Sequence, residues 1–342
     1  MSLFKKSYYY SASLIPFSFL KKLGSGDILL PYHHLVSDER RKHVQHLYPY
    51  KNKKQFVKDL DYLLRHFRAV HPEELILASQ TGQKLSPDGF LLSFDDGLSE
   101  AYDVIAPTLL GKGISAFFFL NPAFLDNREL FYRSKLSLVL DALEFQKPGG
   151  AVLERISGLL GIRNGEKTEI KSAVLAIDYL NRKLADELGN CLDLSFDEYL
   201  KKTQPYLLTD QVKELIRKGF YFGAHSLDHP NYKLISLEEQ LFQTRESCKY
   251  IRRSFGISYT AFSFPHEDAG VKQVFFDELQ KKPSPSIDVL FGTQNQKREI
   301  HNRMFHRFNA ERPEYPIEGL VKGMLLYNLK TRTIKRPLDQ TP

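Results

Sequence analysis

Apolar positions along the 342-residue chain follow two rhythms: short unbroken runs, and recurrences every three to four residues. The first reads as strand buried on both faces, the second as helix with one buried face. After the Gly24-Ser-Gly26 break comes a strand over Asp27–His34. Phe56, Leu60, Leu63, Leu64 and Phe67 share one face and predict a helix over Lys53–Phe67. His71-Pro-Glu-Glu-Leu75 restarts a short helix. Phe90-Leu-Leu-Ser-Phe94 is a buried strand that ends at Asp95-Asp96-Gly97. A helix over Glu100–Leu110 stops at Gly111-Lys-Gly113, and Ile114–Leu120 is the next strand. Strand, helix, strand in this order is a βα unit feeding a parallel sheet.

From about Asn127 to Pro205 the rhythm is helical throughout, as in Leu136, Leu140, Leu143 and Ile170, Val174, Ile177, Leu180. This stretch reads as a helical insertion covering one face of the sheet. The βα alternation then resumes. A helix over Thr209–Lys218 ends at Gly219, and Phe220–His225 is a strand. Ser236 and Glu239 have capping-box spacing and open a helix to Phe255. Tyr259–Phe264 is a strand, Val271–Gln280 a helix and Val289–Gly292 a strand, with a helix and basic end beyond Glu311. The organisation is thus an N-terminal extension over 1–26, a main domain over 27–312 interrupted at 127–205, and a C-terminal helix and tail over 313–342.

Composition narrows the class. Hydrophobic residues make up 42% and charged residues 26%, ordinary for a globular protein with a large core. The net charge is +7, but Lys and Arg are spread along the chain, and no nucleic-acid-binding motif is present. Cys191 and Cys248 stand far apart, which excludes a disulfide framework and a thiolate metal site. The N-terminal segment has early lysines, but serines and Pro16 break its apolar run, so it makes a poor signal peptide and is too polar to span a bilayer. It either packs on the domain or lies on a membrane surface. The expected location is the cytoplasm or the membrane periphery.

The polar residues that carry chemistry stand where apolar strands end: Asp95 and Asp96, then His225 and His229, then Pro265, His266 and Asp268. In parallel α/β folds the site forms at the carboxyl ends of the strands, so these groups should meet. Two histidines four apart can share a metal, and Pro230 makes the segment a ligand loop rather than a helix. Of two adjacent carboxylates, one can bind the metal while the other stays free as a base. Two histidines and one carboxylate leave coordination positions for water and substrate.

Ser93-Phe-Asp-Asp-Gly97 and His225-Ser-Leu-Asp-His229-Pro230 resemble two motifs of the polysaccharide deacetylase family, carbohydrate esterase family 4. The resemblance spans roughly 28–125 and 207–310. It implies a distorted (β/α) barrel of about seven parallel strands. It also implies Asp95 as base, and Asp96, His225 and His229 as ligands of one divalent ion: zinc, or cobalt, nickel or manganese. Phe262-Ser-Phe-Pro-His266 is similar to a third motif, which makes the His266 N–H after Pro265 the oxyanion donor. Many members carry an arginine where Ser263 stands. Branches acting on partly N-acetylated glucosamine polymers lack it and carry a Tyr-His segment, here Tyr32-His33, which adds His33 to Pro265 and His266 as residues expected on the substrate side of the site. The family's last motif has no clean match. Met304-Phe-His-Arg-Phe308 supplies His306 as the candidate general acid, with His266 as its rival, and Arg307 as the replacement for the missing arginine.

The implied activity is removal of acetyl groups from N-acetylated sugars of a polysaccharide or glycan precursor, such as those of the bacterial cell envelope. Two rival readings remain: a catalytically impaired carbohydrate-binding relative, and a hydrolase of a non-sugar amide. The glycan, the role of the insertion and the oligomeric state are not legible in the sequence.

Overall fold

A computed structural model describes residue 12 and residues 14–24, 28–86, 88–162, 166–281, 286–294 and 304–333. Its main sheet has eight parallel segments: β1 Pro31–His33, β2 Leu92–Phe94, β3 Ala116–Leu120, β4 Tyr221–Ala224, β5 Ala261–Ser263, β6 Val289–Gly292, β7 Met304–His306 and β8 Phe308–Asn309. Their order is β8-β1-β2-β3-β4-β5-β6-β7. β7 and β8 are halves of one extended run, parted only by Arg307. Phe305 of β7 pairs with Phe291, and Phe308 of β8 pairs with Pro31. Arg307 N donates to Gly292 O at 2.9 Å, and Phe308 N donates to Leu30 O at 3.0 Å. The chain changes partner at Arg307 and joins the two ends of the sheet. The result is a distorted (β/α) barrel. With β7 and β8 counted as one run, its eight segments make seven strands, the expected number.

β3, Ala-Phe-Phe-Phe-Leu, shows why such a strand is apolar throughout: all five residues are buried. Side chains alternate across it. Phe117 and Phe119 turn toward Phe291, with ring centroids 5.4 and 5.2 Å away. Phe118 turns the other way and stacks between Phe94 and Phe222, at 5.1 and 5.5 Å. Helices including Lys53–His66 cover that outer layer through Phe56, Leu60 and Leu63.

Two expected elements differ in detail. The first strand covers only Pro31–His33; Leu29 forms an isolated bridge with Phe90, and Asp27 lies outside the described residues. The helix expected over Glu100–Leu110 is a π-helix at Ala101–Ile105 followed by an α-helix at Ala106–Leu110. Pro107 has no N–H to give to the preceding turn, and the wider turn that Ala106 N closes on Ala101 O accommodates it.

The stretch after the barrel's third strand folds into helices at Tyr132–Phe145, Gly150–Leu160, Lys167–Ala176, Leu184–Cys191 and Phe196–Thr203. They bury a separate apolar core around Leu136, Val139, Ile156, Val174 and Leu188. At the N-terminal side, the helix Phe17–Gly24 sets Phe17 against Tyr62, His66 and Phe67. No helix among the described residues is long and apolar enough to cross a membrane.

Gly223 of β4 tests how tightly the barrel is filled. A Cβ there would stand 2.5 Å from a Phe119 ring carbon and 2.7 Å from Ala261 O. The carbonyl belongs to a paired strand and cannot swing aside. Gly223→Ala is expected to destabilise the fold by about 1–3 kcal/mol, read as a lowered midpoint in thermal or urea unfolding. An unchanged midpoint would mean that β4 and β5 move apart freely.

Candidate active site

The strand ends converge on a cavity of about 260 Å³. Asp95 and Asp96 enter it after β2, His225 and His229 after β4, Phe264 and His266 after β5, and Thr293 after β6. β1 supplies Tyr32 and, just beyond it, His34; the following loop supplies Leu47 and Tyr48, and the helical insertion Phe131 and Arg133. The backbone at these positions is locally unusual. Asp96, Ser226, His229 and His266 all have positive φ, 69°, 65°, 63° and 57°. Non-glycine residues in this region are disfavoured and mark segments fixed by their surroundings.

Asp95 is fully enclosed and gripped by Arg307, with Nη1 2.8 Å from Oδ1 and Nη2 2.7 Å from Oδ2. The same guanidinium donates to Ser93 Oγ at 2.9 Å and to Ser263 Oγ at 2.5 Å. Tyr32 lies under its face, 4.7 Å away, with Phe119 at 5.5 Å and Phe291 at 5.7 Å. Burial alone would raise the carboxyl's pKa; the charge of Arg307, then that of His225 and the Arg307 hydrogen bonds, overcome this and lower it. Ser263, where the family often has an arginine, is the small partner that leaves room for Arg307.

Asp96, His225 and His229 each offer one ligand atom, all within 4.8 Å of one another. Asp96 Oδ1 lies 3.5 Å from His225 Nε2 and 3.3 Å from His229 Nε2, yet that buried oxygen has no hydrogen-bond partner. His225 Nδ1 stands 2.8 Å from Ser263 O. Donation to that carbonyl fixes the tautomer and leaves Nε2 with a lone pair facing the cluster. Burial lowers His225 to about 4 against the pull of Asp95, which keeps the ring neutral as a ligand must be. Asp96 is held ionised: His229 and then His34 and His225 outweigh its burial. An orphaned carboxylate oxygen facing two imidazoles, one of them oriented by Ser263 O, is the donor set a divalent cation requires, so these residues fit the implied metal.

The ligand loop is pinned from several sides. Asn121 Nδ2 donates to His225 O and Ser226 O, and His229 N donates to Ser226 Oγ at 3.0 Å. Asp228 accepts from Gln243 Nε2 at 2.8 Å and from Tyr179 Oη at 2.7 Å. Tyr179 belongs to the insertion, in the connection between its helices Lys167–Ala176 and Leu184–Cys191, so the insertion braces the loop between the two histidines.

Three sequence expectations meet a different geometry. His33 does not line the cavity: it points outward between Phe56 and Phe94, at 5.4 and 5.7 Å. Tyr32 and His34 take the inward positions, as the two-residue period of a strand demands. His306 also stays off the cavity wall, because Arg307 takes the inward place on that run; its Nδ1 lies 3.5 Å from Asp268 Oδ2. Pro265 is buried but not exposed to the cavity, whereas His266 is on its wall, its ring 4.6 Å from that of His229. Burial, then the neighbouring His229, lower His266 to about 2.

The sequence reading missed His34 and Glu311. His34 Nδ1 lies 3.0 Å from both Glu311 oxygens, and His34 N donates to Oε2 at 2.9 Å. Burial disfavours the imidazolium, but the Glu311 carboxylate outweighs it and raises His34 to about 10. Strand alternation around Tyr32 was the available signal for His34. Nothing local marked Glu311, which is 277 residues away.

Residues 162–274 match the family model described as polysaccharide deacetylase. That span includes His225, His229, Pro265 and His266 and begins inside the insertion, after Asp95 and Asp96. No curated protein matches the chain. Among solved structures, the Streptococcus pyogenes deacetylase PplD in complex with acetate is similar, with 14% identity and a TM-score of 0.53 over 87% of this chain and 97% of that one. IcaB from Ammonifex degensii is similar at 14% identity and a TM-score of 0.54, over 87% of this chain and 98% of that one. At that identity the likeness is one of fold. The resemblance to the polysaccharide deacetylase family, first drawn from two motifs, holds through the matched family model and the barrel itself.

Proposed function

We propose that the chain is a metal-dependent hydrolase that removes acetyl groups from N-acetylated sugars of a polysaccharide or glycan precursor. One observation carries this reading: the Arg307-gripped Asp95 and the cluster of Asp96, His225 and His229 share one cavity wall. Asp96, His225 and His229 would hold the divalent ion, zinc or a similar one, which when bound supplies Lewis acidity toward water and the acyl oxygen.

Asp95 acts as the general base. Arg307 keeps it ionised and fixes both oxygens, so it receives the proton of the water that attacks the acetyl carbon. His266, at the turn after Pro265, offers its backbone N–H to the developing oxyanion. The C–N bond then breaks, acetate leaves, and the sugar nitrogen takes up a proton. For that donor we assign His34 in place of His306. His34 lines the cavity and carries a proton at neutral pH, whereas His306 stands behind the wall and the His266 ring is neutral.

The direct test is acetate release from N-acetylated chitooligosaccharides by the metal-loaded protein, with metal content measured alongside. Asp95→Asn should lower kcat by roughly 10²–10⁴-fold while leaving metal stoichiometry intact. Wild-type protein that binds metal stoichiometrically and releases no acetate from any acetylated glycan would sink the enzymatic reading.

The Arg307 grip also sets a pH dependence. Asp95 works as a carboxylate, and Arg307 holds its pKa down. Arg307→Lys keeps a charge but not the two-pronged geometry. The acidic limb of kcat/KM should therefore move to higher pH. A limb that stays in place in this variant would detach it from Asp95.

Tyr179 offers a readout independent of turnover. Tyr179→Phe removes one of the two bonds to Asp228 and should weaken binding of the metal alone by about tenfold, measured by chelator competition with Co²⁺. Unchanged affinity would mean that Gln243 and Asn121 suffice to hold the ligand loop.

A further inference from the structure

Arg133 is the second residue of the insertion helix Tyr132–Phe145 and stands half-buried in the cavity wall. A cation so near a helix N-terminus opposes the helix dipole, and no acidic residue occupies that first turn. Helix stability therefore gives no reason for an arginine here. Four other arginines around this wall each have a carboxylate partner. Arg307 has Asp95 at 2.7 Å, Arg40 has Asp141 at 2.7 Å, Arg41 has Glu100 at 2.5 Å and Arg128 has Asp126 at 3.1 Å. Among the described residues no carboxylate lies within 4.0 Å of Arg133, whose polar neighbour is the neutral side chain of Tyr132. Of the carboxylates on the cavity wall, Asp95 is engaged by Arg307, and Asp96 faces the imidazoles of His225 and His229. Glu311, behind the wall, is occupied by His34. Arg133 is thus an uncompensated positive charge facing the space where substrate must lie.

We propose that Arg133 binds an anionic group on the substrate, a carboxylate or a phosphate, so that the preferred substrate is an acidic N-acetylated glycan or a phosphate-bearing glycan precursor. A planar guanidinium with free N–H groups matches either anion in a two-pronged contact. A neutral glycan would leave that charge partly desolvated with only hydroxyls to meet it. The insertion that supplies Arg133 also supplies Phe131, so one segment offers an apolar platform beside a charged group.

This inference rests on the deacetylase reading, and the experiment separates the two. Three N-acetylglucosamine oligosaccharides of equal length are compared: one neutral, one with a neighbouring uronic acid, one with a phosphate. Acetate release is measured for wild type and Arg133→Gln. Calorimetry with the metal-loaded Asp95→Asn protein, with and without Arg133→Gln, gives affinities in parallel. Wild type should favour one anionic glycan over the neutral one by about tenfold in kcat/KM, through KM. Arg133→Gln should bring that ratio close to one. The preferred arm identifies the anion. Equal kcat/KM and equal affinity for all three glycans, or a preference that survives Arg133→Gln, would overturn the proposal. If wild type releases acetate from none of them, the deacetylase reading falls, while the calorimetric ratio still decides whether Arg133 selects an anion.

Discussion

The barrel is organised around one buried ion pair. Arg307 is fully buried at the point where the last strand run changes partner, and Asp95 meets it from the end of β2. Taking both charges out of water costs several kcal/mol per ion unless geometry and hydrogen bonds offset it. Here four of the guanidinium's five N–H groups are used, two on Asp95 and one each on Ser93 and Ser263. Those partners come from β2 and β5, so Arg307 fixes the placement of both relative to its own closing run. It also decides which way that run faces. With Arg307 inward, His306 and Phe308 must turn outward. The interaction that grips Asp95 at the cavity is therefore also the one that turns His306 away from the cavity wall.

The ligand side follows a different principle. Positive φ at Asp96, Ser226, His229 and His266 costs of order 1–3 kcal/mol at each residue and persists only where the surroundings over-determine it. The surroundings are visible: Asn121 on the His225 and Ser226 carbonyls, Ser226 Oγ on the His229 N–H, and Gln243 on Leu227 and Asp228. Asp96, His225 and His229 are thus held in place by the protein alone, an arrangement that would spare a bound cation the cost of ordering its ligands.

How much of this was legible depended on the range of the signal. Asp95, Asp96 and His225 were readable because they stand where apolar runs end, and His229 because it follows His225 at ligand spacing; strand ends converge in parallel α/β folds. Arg307 was nominated only as a substitute for a missing residue, and the reason it fits lies in the pairing switch on either side of it. His33 was chosen from a two-residue resemblance, and strand alternation places its neighbour His34 in the cavity instead. Glu311 carried no local pattern, since its partner is at the other end of the chain. The helical character of the insertion was plain from its period, but Tyr179 and Arg133 acquire meaning only from where those helices dock.

That docking is itself built from charge. Asp141, buried on the first insertion helix, accepts from Arg40 and Gln45, each at 2.7 Å, and Ser137 of the same helix donates to Lys42 O at 2.6 Å. Arg41 turns the other way to Glu100 beside the barrel. The loop carrying Leu47 and Tyr48 is therefore clamped between insertion and barrel, and Tyr48 in turn packs on His34, 4.9 Å between rings. Barrel strand ends thus supply Asp95, Asp96, His225 and His229 to the cavity, while the insertion adds Phe131 and Arg133 to its wall and helps hold the loop whose Tyr48 packs on His34. Such a division lets the insertion vary in sequence without disturbing the Arg307–Asp95 pair, because no insertion residue takes part in that pair's hydrogen bonds.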